Sequence, residues 1–378
     1  MKIKLKVLIL IGTRPELIKL SILIKKMSEY FQVNILYTGQ NYDKNLSTIF
    51  IQDLEIKNKI NFLNLKFSSS GDFIGKCILK VDKYLAKKDF DALIILGDTN
   101  SCLAAIAAKK RKVPIFHIEA GNRCFEQRVP EETNRKVLDH LSDINFVYSS
   151  IARHYLLNEN IDPRTIIKVG SPMLEIYKEF ADKINNSIIL KKLNLKKYQY
   201  ILISSHREEN VDNKNHLKEI LKTIKLLYKK FRNPIVYSVH PRTEQKLKDL
   251  GLTKSKNKSI IFSKPFCFTD YSNLCMNSKF VLSDSGTLTE EASILNFKAI
   301  NLREEHERPE GLEEGSVIAS GINSENILRI SDYFYKTYET KPEIKVVNDY
   351  NITNFSEKII RNILGNLRFI NHRLYKKN

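Results

Sequence analysis

Cysteine, glycine and proline are sparse in this 378-residue sequence. Its five cysteines are scattered, with no C-x-x-C pair and no metal-ligand spacing. An odd, unpatterned set excludes a disulfide scaffold, nearly excludes a cysteine-based zinc site and is typical of buried thiols in a reducing compartment. The 13 glycines and 10 prolines are too few for a fibrous or low-complexity chain. We therefore expect a globular protein without a metal site.

Long apolar runs are missing too. None approaches the ~18 residues that a membrane-spanning helix needs. Lys2, Lys4 and Lys6 precede a short apolar run at 7–11, but this run leads straight into the segment 12–16 without a small-residue cleavage site. We interpret 7–11 as a buried strand rather than a signal peptide, and we expect a soluble, cytoplasmic protein with no stable membrane insertion.

Two nucleotide-binding fingerprints and the common nucleic-acid motifs are absent. There is no G-x-G-x-x-G and no G-x-x-x-x-G-K-[ST], so NAD-type and P-loop interpretations lose their main support. The chain has 62 Lys and Arg against 43 Asp and Glu, a formal net charge of +19. Such an excess fits nucleic acid, an acidic membrane, an anionic small substrate or merely lysine-rich composition. Because no RNP-like motif, zinc finger or basic arm occurs, we expect no nucleic-acid partner.

Short apolar runs alternate with longer segments of helical periodicity, and the pattern occurs twice. Strands rich in Val, Ile and Leu with helices between them indicate parallel sheets covered on both faces, hence an α/β fold of two Rossmann-like domains. We predict domains at 1–170 and 171–353 and a C-terminal helix at 354–378 that packs back toward the first domain. The strand candidates are 5–11, 33–37, 92–96, 114–118, 144–147, 200–204, 235–239, 259–262, 279–282 and 298–302. The helix candidates are 14–29, 100–112, 131–141, 213–230, 288–295 and 323–337.

Polar residues cluster where the predicted strands end. In a doubly wound sheet, ligands bind outside the carboxyl ends of the strands. Any one of these clusters could be ordinary helix capping, as for Asp98 or Asp284 before a helix. Six together indicate a binding site. They are 12–16, 97–100, 119–123, 205–210, 240–242 and 283–287.

One of these segments has the features of a phosphate cradle. Ser285, Gly286 and Thr287 precede a predicted helix, whose first backbone N–H groups attract anions, and glycine permits close approach. Arg308 lies in a charged loop after the next strand. Beside such a cradle it would form a clamp of ~1.5–3 kcal/mol per charged hydrogen bond, whereas a solvated loop is the plainer alternative.

Three carboxylates come from neighbouring elements of the first half: Asp98, Glu119 and Glu131. Acids that converge on one cleft suit general acid–base work on a neutral sugar ring, although dipole-favoured capping is an alternative for Glu131. Of two histidines near these segments, His117 sits in an apolar strand and is expected in the core. His206 follows a strand and is the better functional candidate.

Taken together, these segments resemble the non-hydrolysing UDP-N-acetylglucosamine 2-epimerase family over roughly residues 5 to 365. The matching segments are 12–16 with Lys19, 38–40, 97–99, 117–121, 130–135, 206–210, 284–286 with Glu290 and Glu291, and 307–310. The resemblance implies a glycosyltransferase-B-like architecture with the active site in the cleft between the domains. It also implies a homodimer and a reaction without a cofactor.

The resemblance further implies roles for individual residues. Asp98, Glu119 and Glu131 would transfer protons or support the transfer, and His206 would hold or neutralise a departing diphosphate. Glu291 would accept hydrogen bonds from the ribose, and Tyr271 would stack near uracil. The remaining contacts to UDP would come from Arg14, Lys19, Ser285, Gly286, Thr287 and Arg308.

Two segments, 97–102 and 121–125, look like the branch that converts UDP-2-acetamido-2,6-dideoxy-L-talose to UDP-N-acetyl-L-fucosamine. The segment between Gly121 and Pro130 is shorter than in typical N-acetylglucosamine enzymes, and Thr287 replaces a usual glycine. We expect the L-fucosamine-forming reaction, in surface polysaccharide synthesis. The alternatives are a UDP-N-acetylglucosamine 2-epimerase, a hydrolysing epimerase, a UDP-sugar-dependent glycosyltransferase and a binding protein without catalysis.

Overall fold

The computed structural model describes residues 4–40, 50–205, 207–239, 241–249, 258–305, 307–337 and 346–376. Contacts between residues divide the chain into two compact units. The first consists of Met1–Glu179 and Asn348–Asn378, and the second of Phe180–Val347. Within the described ranges, no helix has the length and apolar character needed to cross a membrane.

The first unit is built on a parallel sheet of seven described strands. Its strands are β1 (Lys6–Ile11), β2 (Gln32–Tyr37), β3 (Ile60–Phe62), β4 (Ala92–Leu96), β5 (Ile115–Ala120), β6 (Ile144–Val147) and β7 (Ile166–Lys168). Their order is β3-β2-β1-β4-β5-β6-β7, so the chain reverses direction of winding between β1 and β4. At this point the polar ends of β1 and β4 lie side by side, which is where a doubly wound sheet binds ligands.

Helices cover this sheet because its central strands are apolar on both faces. They are α1 (Arg14–Tyr30), α2 (Ser70–Ala86), α3 (Ala105–Lys110), α4 (Pro130–Leu141), α5 (Ser150–Asn158) and α6 (Met173–Glu179). Leu8 and Leu10 of β1 pack in one core cluster with Phe73 and Val81 of α2. A short 3-10 turn, Asn100–Ala104, leads into α3, where one continuous helix over 100–112 is predicted.

A C-terminal helix, Phe355–Phe369, belongs to the first unit and continues into a π-helical turn, Ile370–Leu374. One side of this helix is apolar and buried, through Ile359, Ile360, Ile363 and Leu367. The Glu175 carboxylate caps the start of this helix by accepting from the Ser356 backbone N–H at 3.1 Å and from its hydroxyl at 2.6 Å.

The second unit contains a second parallel sheet. Its described strands are β8 (Ile201–Ser205), β9 (Ile235–Val239), β10 (Ile260–Ser263), β11 (Phe280–Ser283), β12 (Ala299–Asn301) and β13 (Ile318–Ala319), in the order β10-β9-β8-β11-β12-β13. Its helices are α7 (Ala181–Asn185), α8 (Ile189–Lys192), α9 (Glu208–Val211), α10 (Lys214–Phe231), α11 (Pro241–Asp249), α12 (Phe268–Met276), α13 (Leu288–Leu295), α14 (Pro309–Glu313) and α15 (Ser324–Lys336).

Alternate residues of β8 show how both faces of this sheet are used. Ile201 and Ile203 point into one core cluster with Leu217 of α10, whereas Leu202 points into another with Leu288 of α13. The α/β class with two Rossmann-like domains is thereby confirmed.

Candidate active site

Glu119 occupies an unusual backbone position at the end of β5. Its φ is 73°, in the left-handed region that a residue with a side chain adopts only at a cost of order 1–3 kcal/mol. The register between β5 and β6 shifts at the same point, between Ile118 and Ala120. Such a kink re-aims a side chain, and strained conformations of this kind concentrate at functional sites.

The Glu119 side chain contacts a lysine. Lys19 Nζ of α1 lies 2.5 Å from Glu119 Oε2; the Lys19 side chain is buried, with 6% of its surface exposed, and the Glu119 side chain is partly buried, with 11% exposed. The sequence predicted Lys19 as a contact for UDP and did not predict this ion pair, because the partners are 100 residues apart.

Asp98, which follows β4, is held by α4. Arg135 Nε donates to Asp98 Oδ2 at 2.7 Å, and Asn134 Nδ2 donates to the Asp98 carbonyl at 2.9 Å. Arg135 is buried, whereas the Asp98 side chain keeps 26% of its surface exposed. Asp98 is therefore a fixed carboxylate with one side open. Sequence reasoning missed Arg135 and Asn134 as site residues, although they lie in the same motif as Glu131.

The adjacent acids Glu131 and Glu132 differ in their surroundings. Glu132 is buried and accepts from the backbone N–H groups of Cys124 and Phe125 at 3.1 and 3.2 Å, and from Arg135 at 2.8 Å. Burial raises its pKa, but the Cys124 N–H and the Arg135 guanidinium outweigh burial and hold the pKa below the ordinary value. Glu132 thus holds the segment after β5 in place. Glu131, in the first turn of α4, is only partly buried.

His117 is a core histidine, as the sequence predicts. Its Nδ1 lies 2.8 Å from Asp139 Oδ1, and its Nε2 lies 3.2 Å from the Gly97 carbonyl, just before Asp98. Arg123 Nη1 donates to the same Asp139 carboxylate at 2.7 Å. Burial raises the pKa of Asp139, and the His117 and Arg123 contacts lower it further than burial raises it, so the pKa lies below the ordinary value. This chain of contacts fixes the ends of β4 and β5.

In the second unit a buried acid organises the strand ends. Asp284 Oδ2 accepts from the Ser205 hydroxyl at 2.8 Å, from Asn210 Nδ2 at 2.9 Å and from the Arg207 backbone N–H at 3.1 Å. These bonds tie the loop after β8 to the loop after β11. Asp284 therefore does more than cap a helix.

The predicted cradle follows Asp284. The hydroxyls of Ser285 and Thr287 are 2.9 Å apart, and the Thr287 hydroxyl donates to Glu291 Oε1 at 2.7 Å. A Cβ at Gly286 would lie 3.1 Å from Arg207 Nη2, so the guanidinium stands next to the glycine backbone. The arrangement combines hydroxyls, a glycine and a guanidinium that lies 3.6 Å from the Glu307 carboxylate; hydroxyls, a glycine and a cation at a helix start are features of anion sites. Arg207 was not among the predicted site residues.

The remaining predicted contacts lie in different environments. Arg308 is fully buried, with its Nε 3.4 Å from Glu290 Oε2. Tyr271 packs partly buried against the core beside β8, and burial raises the pKa of its hydroxyl well above the ordinary value. The Arg14 guanidinium lies over the Phe50 ring, 5.4 Å from its centroid. His206 lies outside the described residues, and so does the second predicted strand-end histidine, His240.

In the ranges that the structure describes, no group of three or more His, Cys, Asp or Glu side chains is arranged to hold a metal ion. The site carboxylates described above, such as Asp98 and Glu132, pair with basic side chains and backbone N–H groups.

Comparisons with known proteins identify the family of this chain. A family model described as UDP-N-acetylglucosamine 2-epimerase matches residues 25–364. The UDP-N-acetylglucosamine 2-epimerase of Methanocaldococcus jannaschii is 36% identical over 337 residues, covering 86% of this chain and 91% of that protein.

Solved structures are similar along the whole chain. The structure of UDP-N-acetylglucosamine 2-epimerase from Rickettsia bellii matches with a TM-score of 0.91 and 45% identity, over 99% of this chain and 100% of that one. The Methanocaldococcus jannaschii enzyme in complex with UDP-GlcNAc and UDP matches with a TM-score of 0.88 and 32% identity, over 96% and 100% of the two chains. The chain therefore belongs to the UDP-N-acetylglucosamine 2-epimerase family and is an isomerase of the UDP-sugar 2-epimerase type.

Proposed function

We propose that this enzyme inverts C2 of a UDP-2-acetamido sugar by removing UDP and adding it back. The C2 proton is not acidic, because no carbonyl neighbours it. A base can take it only as the C1–O bond to UDP breaks, which leaves a 2-acetamidoglycal and free UDP. In the return step the UDP oxygen rebinds C1 and a proton is delivered to the opposite face of C2. Atoms balance without an oxidant or a cofactor.

The observation that supports this proposal most is the aimed pair of Glu119 and Lys19. A carboxylate held 2.5 Å from an ammonium, on a strained backbone, is suited to accept or return a proton in one position. Asp98 and Glu131 complete a set of three carboxylates. The chemistry needs one base and one acid on opposite faces of the ring, and these three carboxylates would supply or support them.

The diphosphate part of the proposal depends on the second unit. Ser285, Gly286 and Thr287 would bind phosphate oxygens, with Arg207 alongside. Glu291 would accept from the ribose hydroxyls, Tyr271 would lie near uracil, and Arg308 would support this region from its buried pair with Glu290. Arg14 and Lys19 would contribute positive charge from α1, and His206 would neutralise the departing diphosphate.

For the sugar itself there are two candidates. The segments 97–102 and 121–125 favour UDP-2-acetamido-2,6-dideoxy-L-talose, converted to UDP-N-acetyl-L-fucosamine. The names of the relatives, and the UDP-GlcNAc bound to one of them, favour UDP-N-acetylglucosamine, converted to UDP-N-acetylmannosamine. The segment that distinguishes them is held by Glu132 through Cys124 and Phe125, so its conformation is set by α4.

The test is to incubate the purified chain with each UDP sugar in buffer alone and to follow products by NMR. A 2-epimerase converts at least one sugar to its C2 epimer without an acceptor, and the faster conversion identifies the substrate. A glycosyltransferase leaves both sugars unchanged until an acceptor is added, and a hydrolysing epimerase releases free sugar and UDP. No conversion of either sugar contradicts the proposal.

A homodimer in the cytoplasm that serves surface polysaccharide synthesis is part of the same proposal. The resemblance of the motifs supports it. Light scattering of the purified chain measures the mass directly: twice the 43.9 kDa of one chain is expected, and a single-chain mass contradicts the dimer.

A further inference from the structure

Glu16 is a buried carboxylate that none of the proposed roles uses. It lies in the first turn of α1 and is 4% exposed. One oxygen accepts from the Gly12 backbone N–H at 2.7 Å. The other accepts from the hydroxyls of Thr13 and Thr99, each at 3.0 Å. A single side chain thus connects the loop after β1 to the loop after β4.

The two loops are packed too closely to move independently. A Cβ at Gly12 would lie 2.4 Å from Ser101 Oγ and 2.9 Å from Thr99 Oγ1, so only glycine fits at this position. Ser101 Oγ in turn lies 2.7 Å from Thr38 Oγ1, at the end of β2. The contact region formed by Gly12, Glu16, Thr38, Thr99 and Ser101, here called the polar seam, joins three neighbouring strand ends.

The residues on either side of the polar seam are those proposed to act on the substrate. Asp98 directly precedes Thr99. Lys19 follows Glu16 by three residues, on the same helix, and pairs with Glu119 at 2.5 Å. A shift of the Thr99 loop against α1 would therefore change the position of Asp98 relative to the Lys19–Glu119 pair.

The hydrogen bonds at Glu16 suit its charged form. All three partners donate, so a proton on Glu16 would force a threonine hydroxyl to turn and accept. Burial raises the pKa of Glu16 to about 7, against the lowering effect of the Gly12, Thr13 and Thr99 donors, and Asp98 adds a further rise. Burial also raises the pKa of the nearby Cys102 thiol well above its ordinary value, and the charges of Asp98 and Glu16 raise it further.

We propose that Glu16 is a positioning residue. It holds the Asp98 loop against α1 and so fixes the position of Asp98 relative to the Lys19–Glu119 pair. The inference rests on the proposed epimerase function. Glu16 does not itself touch the substrate. Its part is to hold two proton-transfer groups, on different strand ends, within the tolerance that the reaction allows, since a displacement of ~1 Å can cost about 10²-fold in rate.

The test uses three variants and one control. Glu16→Gln places an amide against a donor, and Thr99→Val removes one donor with little change in shape, whereas Thr99→Ser keeps the hydroxyl. Glu29→Gln is the matched control, because Glu29 is exposed on the same helix. We expect kcat to fall at least tenfold in Glu16→Gln and Thr99→Val with KM changed less than about threefold, and to stay near wild type in Thr99→Ser and Glu29→Gln.

Two further readouts separate positioning from a merely structural role. The wild-type pH profile of kcat should fall as the pH drops through about 7, where Glu16 takes up a proton, and Glu16→Gln should lack this step. Hydrogen exchange in residues 97–101 should be at least tenfold faster in Glu16→Gln, and this measurement does not depend on activity.

The outcomes are distinguishable. If the wild type epimerises and folded Thr99→Val keeps full kcat, or if Glu16→Gln shows the wild-type pH profile, the positioning role is wrong while the function stands. If the wild type epimerises no UDP sugar, the proposed function fails, and the exchange measurement still decides whether Glu16 locks the two loops. Unchanged exchange overturns the inference.

Discussion

The strand ends of the two units carry different sets of side chains on the same type of fold. After β4 and β5 of the first unit, the side chains Asp98 and Glu119 are each held by a buried base, Arg135 and Lys19. After β8 and β11 of the second unit, the buried carboxylate of Asp284 accepts three hydrogen bonds. The residues that follow it supply hydroxyls and a glycine, and a guanidinium lies beside this glycine.

Under the proposed function, this difference would assign proton transfer to the first unit and the diphosphate to the second. Charged carboxylates in fixed positions suit proton transfer, whereas hydroxyls and backbone N–H groups at a helix start suit a diphosphate. The fold alone does not assign these tasks, because both units have a parallel sheet with the same order of winding. The contacts of individual side chains do.

We expect the largest effect from neutralising a carboxylate of the first unit. We expect Asp98→Asn and Glu119→Gln each to lower kcat by ~10²–10⁴-fold, because general acid–base catalysis is worth that much. Affinity for UDP alone, measured by calorimetry, should change less than about threefold. Glu179→Gln, which removes an exposed acid paired with Lys25, is the control and should stay active. Near-normal turnover in both carboxylate variants would remove the first unit from proton transfer.

The pH dependence of the free energy of unfolding tests the surroundings of Glu16 in the first unit. The pKa of Glu16 is raised from 4.5 to about 7 in the folded state, so the folded chain holds this proton more tightly than the unfolded chain does. The stability that Glu16 contributes is therefore present at low pH and is lost as the pH rises from about 4.5 to 7, by ~3 kcal/mol in total.

Chemical denaturation of wild type and Glu16→Gln at several pH values measures this loss. Because glutamine does not titrate, the free energy of unfolding of the variant should rise relative to wild type across that interval. A difference between the two chains that stays constant with pH would contradict the raised pKa.

A smaller effect is expected from the organising acid of the second unit. Asp284→Asn sets an amide against three donors, and hydrogen bonds to a charged group are worth ~1.5–3 kcal/mol. We expect about tenfold weaker binding of UDP and a higher KM, with kcat less affected. A loss of kcat with unchanged affinity for UDP in Asp284→Asn would contradict the proposed role of the second unit in UDP binding.

The smallest effect belongs to the surface of the second unit. Lys230 and Asp332 form an exposed ion pair between α10 and α15, and such pairs contribute ~0–1 kcal/mol. Asp332→Asn should leave UDP affinity and kcat at wild-type values, and it serves as the control for Asp284→Asn. A loss of affinity in this variant would show that charge anywhere on the unit, rather than the Asp284 contacts, governs binding.

Much of the fold could be predicted from local patterns. Ten predicted strands agree with strands of the structure, because continuous Val, Ile and Leu runs are what a sheet buried on both faces requires. The strands β3, β7 and β13, of two or three residues each, were missed. Helix α2 was missed as well, although Ser69 caps it by accepting from Asp72 N–H.

The site could be predicted only as a set of segments. Polar residues at strand ends indicated where ligands bind, because topology brings those ends together. The pairs that define the site depend on tertiary contacts. Lys19 pairs with Glu119, 100 residues away in sequence, and Glu16 accepts a hydrogen bond from Thr99, 83 residues away. Nor does sequence reveal that Glu119 takes a left-handed backbone, since that follows from the register shift between β5 and β6.

Exchange at C2 in heavy water tests the central claim most directly. The chain is incubated in deuterium oxide with UDP-N-acetyl-L-fucosamine and, in parallel, with UDP-N-acetylglucosamine, and C2 is examined by NMR and mass spectrometry. The elimination and re-addition of UDP predict that one deuterium enters at C2 of the true substrate and its epimer, and that Glu119→Gln slows this exchange by at least 10²-fold. Recovery of both sugars with their C2 protons intact would contradict the account.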